Sequence, residues 1–148
     1  MKTTNRIRGK QNQRAGEWAE QFAERALWSL GFKCVEKYET GWRIKWRYDP
    51  KKKKSVVVDA KKKKKVSGDF NAIGKNGQYI HCEVKRRDKD VLFHSALEKH
   101  QVEAMNEKTK YGALCLLAWV RSPTEVKILR WPIKGFEKNS SLRWENIK

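Results

Sequence analysis

The sequence is poor in acidic residues and in cysteine, and each shortage limits the class of protein that it can specify. Among its 148 residues, 17 Asp plus Glu stand against 35 Lys plus Arg, which gives a formal net charge of +18. A surface of this sign attracts polyanions without specifying a fold. The three cysteines, Cys34, Cys82 and Cys115, are an odd number without C-x-x-C spacing. They argue against a disulfide framework, and we expect small core residues in a reducing compartment.

Long apolar segments are missing as well. The longest apolar run, Ala113 to Val120, is far too short to cross a bilayer, which requires about 20 residues. Residues 1–14 lack the apolar stretch of a signal peptide, and no amphipathic lysine-rich helix or lipidation motif indicates a membrane surface. We therefore expect a cytoplasmic protein that binds nucleic acid, with no membrane association and no small-molecule cofactor. On composition alone, a small RNA-binding protein fits as well as an enzyme.

The order of predicted elements is that of an α/β protein. Residues 1–14 are polar and basic, and we expect a disordered arm. Trp18, Phe22 and Ala26 recur every four residues and predict a helix over residues 15–30. The remaining predicted elements are strands at 32–35, 42–48, 69–73 and 78–86, a helix from a capping box at Ser95 to Lys108, and strands at 113–120 and 125–131.

Two segments are expected to lie outside this regular framework. In KKKKSVVVDAKKKKK, residues 51–65, two lysine runs repel each other and cannot be buried, which predicts a protruding hairpin or a flexible arm. Residues 134–148 are polar with scattered Leu142 and Trp144, and are expected to be a tail. A single domain over residues 15–133 remains.

The stretch from Gly68 to Arg87 carries the residues best suited to catalysis. Residues two apart in a strand share a face, so Glu83 and Lys85 stand side by side, and the preceding hairpin arm can bring Asp69 near them. Two carboxylates with a backbone carbonyl and water form an oxygen site suited to Mg²⁺ or Mn²⁺. Such a metal lowers the pKa of water and neutralises phosphodiester charge. Lys85 could orient that water, help to deprotonate it and stabilise developing charge.

A second Glu-Val-Lys, Glu125 to Lys127, shows that the tripeptide alone is weak evidence. A cross-strand surface salt bridge explains either copy equally well when the copy is taken by itself. The context separates them, because no Asp lies between residues 91 and 124 and Glu125 begins its strand just after a turn, where a solvated charge is expected. Glu83 lies inside its strand and has Asp69 upstream.

Both predicted helices place a polar residue near the apolar face. At about 100° per residue, Glu20 lies on the flank of that face, whereas Glu17 lies farther toward solvent. Gln101 falls on one line with Leu97 and Met105, so it points with core residues and needs a partner. A metal-bound water or a phosphate would serve. The structural alternatives are a solvated acid for Glu20 and a backbone hydrogen bond for Gln101.

The combined pattern resembles a known family. Asp69-Phe70-Asn71, Gly77-Gln78-Tyr79-Ile80, Glu83-Val84-Lys85 and His100-Gln101 look like the RecU-type Holliday junction resolvases of the PD-(D/E)xK nuclease superfamily. The likeness covers roughly residues 42 to 131. The first helix departs from it, because Gly16-Glu17-Trp18-Ala19-Glu20 is closer to archaeal-type junction resolvases, in which Glu20 would be the helical metal-site acid and Glu17 the fallback. Arg86-Arg87 after Lys85 is another departure.

The resemblance implies a restriction-endonuclease-like αβββαβ core, with a central mixed sheet flanked by helices and a protruding basic stalk hairpin at about residues 48–66. It implies a homodimer that uses Mg²⁺, with Mn²⁺ as a substitute, to resolve four-way DNA junctions during recombination and repair. The implied catalytic residues are Asp69, Glu83, Lys85, Glu20 and Gln101. The implied metal ligands are Asp69, Glu83, the Val84 carbonyl and Glu20, directly or through water. The expected DNA contacts are Lys51, Lys52, Lys53, Lys54, Lys61, Lys62, Lys63, Lys64, Lys65, Arg86, Arg87 and Arg14.

Two other functions stay open at this point. One is another nuclease of the same superfamily, acting on flaps, duplex DNA or restriction-like sites. The other is a basic nucleic-acid-binding protein without catalysis. Cleavage of four-way, flap and linear DNA separates the nucleases, and a lack of any metal-dependent cleavage would favour the binding protein.

Overall fold

The computed structural model describes residues 2–37, 42–62 and 68–148, without the side chains at 2–10, 12–14, 42–46 and 58–62. Within these residues the chain forms two long helices, nine strands and three short 3₁₀ turns at Lys75–Gly77, His94–Ala96 and Trp144–Asn146. The helices and strands are α1 (Lys2–Ser29), β1 (Lys33–Lys37), β2 (Trp42–Asp49), β3 (Lys54–Lys62), β4 (Phe70–Ile73), β5 (Tyr79–Arg86), β6 (Val91–Phe93), α2 (Lys99–Lys110), β7 (Leu114–Ser122), β8 (Glu125–Arg130) and β9 (Ser141–Arg143). In this part of the chain, neither helix has the length and apolarity needed to span a bilayer.

A mixed five-stranded sheet in the order β1-β4-β5-β7-β8 forms the centre of the fold. Strands β5 and β7 pair in parallel, and the other neighbours pair antiparallel. Alternate residues of β7 belong to two cores: Leu116 and Ala118 pack with α1, whereas Leu117 and Trp119 pack with α2. Burial on both faces explains the continuous apolar run of this strand, and the predicted α/β architecture with a central mixed sheet is confirmed.

Helix α1 begins at Lys2, so the expectation of a disordered arm over residues 1–14 is wrong for residues 2–14. These residues contain no proline, and their Arg, Lys and Gln are good helix formers. The buried face is also rotated from the predicted one. It is centred on Ala19, Ala23 and Leu27, each at most 2% exposed, because small side chains let the helix approach the sheet closely. The rotation brings Glu20 nearer to the buried face than the apolar pattern suggested.

The lysine-rich segment is a hairpin that stands apart from the central sheet. Strands β2 and β3 pair with each other as a separate two-stranded sheet, and Asp49 Oδ1 accepts a hydrogen bond from the Lys51 amide in the connecting turn, at 2.9 Å. The hairpin begins at Trp42, earlier than the predicted stalk, because the whole alternating strand pairs with the β-branched segment. Residues 63–67, at the end of the predicted stalk, lie outside the described part of the chain.

Residues 134–148 belong to the domain, and the prediction of a polar tail is wrong. Strand β9 pairs with β6, Phe136 is buried, and the ring of Trp144 packs edge-on against Trp119 at 5.0 Å between centroids. These side chains close the core beneath α2. Their spacing follows neither a helical nor a strand period, so the pattern gave no signal of burial.

Two smaller predictions also need correction. Helix α2 starts after a 3₁₀ turn, with Glu98 rather than Ser95 as its N-cap, and the Gln101 side chain accepts a hydrogen bond from the Glu98 amide at 3.0 Å. Cys34 is exposed, whereas Cys82 and Cys115 are buried as predicted. The 69–86 hairpin pairs around its turn as expected.

Candidate active site

Strand β5 carries the candidate site on the face that α2 covers. Its residues alternate, so Ile80 and Cys82 join the core beneath α1, while His81, Glu83 and Lys85 face the other way. His81 and Glu83 on this second face are buried, and both are 0% exposed. Buried charged side chains require polar partners, and α2 supplies them.

Gln101 joins the two charged residues of the Glu-Val-Lys motif. Its Nε2 donates to Glu83 Oε2 at 2.8 Å, and its Oε1 accepts from Lys85 Nζ at 2.8 Å. The same Oε1 accepts from the Glu98 amide that begins α2. One amide therefore fixes the end of the helix and both motif side chains, which confirms that Gln101 points inward, as its position on the helix predicted.

Asp69 directly precedes β4 and lies beside β5. Its amide donates to the Cys82 carbonyl at 2.9 Å, and its Oδ2 accepts from the Val84 amide at 2.6 Å. The N–H and C=O of one strand residue point to the same edge, so the Val84 carbonyl lies beside Asp69, beyond the last residue pair of β4 and β5. Burial raises the pKa of Asp69, and the nearby Glu20 raises it further, although the Val84 amide, Lys85 and Lys37 oppose the rise.

Glu20 approaches this group from α1. Its side chain is 24% exposed and forms an ion pair with Lys37 of β1. Glu20 Oε2 is shielded from solvent and has no hydrogen-bond partner in the described residues. The ion pair with Lys37 is made by this same oxygen. Glu17, one turn earlier, is exposed. The structure thus brings Glu20 toward Asp69 and leaves Glu17 on the surface.

His81 is a buried neighbour of Glu83 that the sequence did not identify as part of the site. Its Nδ1 lies 2.9 Å from Lys108 Nζ, and its Nε2 lies 3.8 Å from Glu83 Oε1. Burial and the Lys108 ammonium lower the pKa of His81 to about 4. A neutral, buried imidazole is therefore part of the wall around Glu83. Alternation alone placed it on this face, but nothing in the sequence predicted its burial by α2.

The carboxylates do not form a compact cluster. Within residues 2–37, 42–62 and 68–148, no three Asp, Glu, His or Cys side chains are grouped closely enough to hold a metal ion. Protein donors hold them instead: Val84 holds Asp69, Gln101 holds Glu83, and Lys37 holds Glu20. Gln101 joins Glu83 and Lys85, Asp69 is bonded to the Val84 amide between them in the chain, and Glu20 is near enough to raise the pKa of Asp69.

The predicted DNA contacts fall into three groups. Lys51, Lys52, Lys53 and Lys54 are exposed at the turn of the β2–β3 hairpin. Arg86 is exposed with its guanidinium 5.6 Å from the Trp18 ring, whereas Arg87 is half-buried and donates to the Val91 carbonyl at 3.0 Å. The side chains of Arg14, Lys61 and Lys62, and all of Lys63, Lys64 and Lys65, lie outside the described part of the chain.

Comparison with known proteins agrees with this geometry. The family model of RecU, Recombination protein U, matches residues 25–132. The fold resembles the structure of Archaeoglobus fulgidus Hjc, a Holliday junction resolvase from an archaeal hyperthermophile, with a TM-score of 0.54 and 18% identity over 87% of this chain and 88% of that one. No curated protein matches the chain. The family match covers most of the chain, which therefore belongs to the RecU family of Holliday junction resolvases, endonucleases that hydrolyse DNA phosphodiester bonds.

Proposed function

We propose that the edge of β5 is the active site of this resolvase, with Asp69, Glu83, Lys85 and Gln101 as its catalytic residues and Glu20 as the acid from α1. The observation that carries the proposal is the Gln101 amide, which bonds Glu83 and Lys85 at 2.8 Å each. An exposed Glu–Lys pair needs no such bridging side chain. Asp69 lies beside this group on the adjoining strand end.

The donor atoms at this edge suit a hard divalent cation, and we propose Mg²⁺, with Mn²⁺ as a substitute. Asp69, Glu83 and the Val84 carbonyl would hold it, and Glu20 would do so directly or through water. Burial raises the pKa of Asp69, and Glu20 raises it further; a bound cation would stabilise the ionised form of this carboxyl group. When bound, the metal would supply an activated water and neutralise phosphate charge.

The remaining side chains act by position. The Lys85 ammonium, which Gln101 holds, is placed to orient a nucleophilic water and to stabilise negative charge that develops on the phosphate. Gln101 keeps Lys85 and Glu83 at a fixed separation, since both are hydrogen-bonded to one planar amide. Such preorganisation lowers the cost of arranging charges during the reaction.

Branched DNA is the proposed partner, and the hairpin is its proposed contact surface. Exposed Lys51 to Lys54 lie at the tip of the two-stranded β2–β3 sheet, which is separate from the central sheet in the described residues. Each lysine–phosphate contact adds to the salt dependence of binding. Resolution requires two strands to be cut symmetrically, so we propose a homodimer with one site per protomer.

Cleavage of matched DNA substrates tests the proposal. Four-way, flap and linear duplex DNA of shared sequence are incubated with the full chain and Mg²⁺ or Mn²⁺. We expect paired nicks in the four-way junction, little cutting of the linear duplex, and loss of cleavage with retained junction binding in Asp69→Asn. Equal cutting of all three substrates would indicate another kind of nuclease. Absence of metal-dependent cleavage by the wild type would leave only nucleic-acid binding.

A further inference from the structure

We infer that His81 is a positioning residue for the proposed catalytic Glu83, held by Lys108 in the tautomer that carries its proton on Nε2. The inference rests on the proposed function, because Glu83 matters here as a residue of that site. The positioning chain runs from Lys108 on α2 through His81 to Glu83 on β5.

The contact with Lys108 determines which ring nitrogen carries the proton. A lysine ammonium has three donors and no acceptor, so Lys108 Nζ, at 2.9 Å from His81 Nδ1, must donate to a lone pair on that nitrogen. The proton of the neutral ring is then on Nε2. This nitrogen is buried, has no hydrogen-bond partner among the described residues, and lies 3.8 Å from Glu83 Oε1. In this tautomer the nitrogen nearest Glu83 Oε1 carries the proton, at a distance longer than a direct hydrogen bond.

Two residues of α2 consequently act on the surroundings of Glu83, one by a hydrogen bond and the other by fixing a neighbouring ring. Gln101 donates to Oε2 at 2.8 Å, while the imidazole that Lys108 orients faces Oε1. Gln101 and Lys108 are seven residues apart, which places them on one face of α2, two turns from each other. A single helix face therefore sets the rotation of the carboxylate: one contact is direct, and the other passes through His81.

The ring of His81 also touches the chain just before Asp69. A Cβ at Gly68 would lie 2.3 Å from Cε1 of His81, and Gly68 has a φ of +104°, which only glycine adopts readily. The imidazole thus fills the space between the Gly68 backbone and Glu83. The ring therefore separates the segment that carries Asp69 from the strand that carries Glu83. A residue that aligns two catalytic acids would have this position.

Nitrogen chemical shifts of the imidazole test the tautomer without reference to activity. The chain has three histidines, so long-range ¹H–¹⁵N spectra of the full chain, compared with those of His81→Gln, assign the His81 signals. We expect a protonated Nε2 and a bare Nδ1 in the wild type. Lys108→Met is expected to lose this pure tautomer, and Lys108→Arg is expected to restore it. Lys99→Met, an exposed lysine of the same helix, is the matched control and is expected to change nothing.

Junction cleavage by the same variants tests the consequence. We expect Lys108→Met to lower kcat roughly 10- to 100-fold, as loss of an outer partner of a metal-site residue does, with KM for the junction nearly unchanged and activity restored in Lys108→Arg. A wild-type proton on Nδ1, or a Lys108→Met variant with unaltered tautomer and kcat, would overturn the inference. An inactive wild type with the expected tautomer would instead overturn the proposed function. Calorimetric Mn²⁺ binding, weakened about tenfold in Lys108→Met, gives a readout independent of cleavage.

Discussion

The chain contains Glu-Val-Lys twice in one sheet, and the two copies have different surroundings. Glu83 lies on β5, between two neighbouring strands, and is fully buried against α2. Glu125 begins the edge strand β8, and its side chain is 41% exposed. It accepts a hydrogen bond from Ser122 at 2.8 Å and lies 3.7 Å from Arg121, contacts expected of an ordinary surface acid.

The two lysines differ in the same way. Lys85 donates to the Gln101 side chain, which also bonds Glu83, so the first copy is one connected group. Lys127 instead donates to the backbone carbonyls of Trp144 and Ile147, and its ammonium lies 4.8 Å from the Trp144 ring. The second copy therefore fastens the C-terminal segment to the sheet. Residues outside the tripeptide therefore decide which partners its charged side chains bind.

The largest expected difference is in activity. We expect Glu83→Gln to lower junction cleavage at least about 100-fold, because Glu83 is a proposed metal ligand and loss of outer partners alone costs about 10- to 100-fold. The isosteric change Glu125→Gln on the edge strand is the matched control and is expected to stay within about twofold of the wild type, since surface ion pairs contribute little. Single-turnover cleavage of a labelled four-way junction measures both. A comparable loss in the two variants would end the distinction between the copies.

For the two lysines, we expect the larger effect on stability in the second copy, at Lys127, and the smaller one in the first copy, at Lys85. Lys127→Met removes the donor of the Ile147 carbonyl, whereas the Trp144 carbonyl still accepts from the Ile147 amide. One unsatisfied buried acceptor costs about 1–3 kcal/mol. We expect the free energy of unfolding to fall by about 2 kcal/mol, measured by urea titration, with cleavage by the folded protein unchanged. Lys85→Met is the matched variant, and we expect it to lose cleavage with a smaller change in stability. A larger stability loss for Lys85→Met would contradict this assignment.

The residues of the candidate site were predictable because local rules determine their direction. Alternation along a strand puts Glu83 and Lys85 on one face, and helical spacing turns Gln101 toward the core. Both rules need only residues a few positions apart. The hairpin of residues 69–86 is equally local, so the approach of Asp69 to Glu83 followed from its turn.

The features that the sequence did not reveal depend on distant contacts. Burial of His81 requires α2 to cover its strand, and α2 comes later in the chain. Trp144 is half-buried, packs against Trp119, and accepts a hydrogen bond at its carbonyl from Lys127. These partners are too far away in the sequence for a local pattern to predict. The rotation of the α1 face toward Glu20 likewise came from close packing of small residues, whereas the apolar pattern gave more weight to Trp18 and Phe22.

Asp69 lies a short distance upstream of the first copy, and the second copy has no such nearby acid. The pKa of Asp69 leads to the next prediction. Burial, with Glu20, raises its pKa above the ordinary value of 3.8, so the folded chain holds the proton more tightly than the unfolded chain does. Ionised Asp69 therefore destabilises the fold above the folded-state pKa, and this cost disappears below 3.8. We expect Asp69→Asn, unfolded thermally in a chelator, to raise the Tm at neutral pH. The gain should shrink as the pH falls through the folded-state pKa, and a gain that grows instead would reverse the sign of the shift.

The smallest effect is expected at Glu125 itself. Its carboxylate is paired with Arg121 while 41% of its side chain stays in solvent, and exposed pairs contribute about 0.2–1 kcal/mol. Glu125→Gln keeps the hydrogen bond from Ser122, so we expect the free energy of unfolding to fall by at most about 0.5 kcal/mol. Because salt screens surface charges, the difference from wild type should vanish in urea titrations at about 1 M NaCl. A loss above about 2 kcal/mol that persists in salt would mean that Glu125 is as deeply integrated as Glu83.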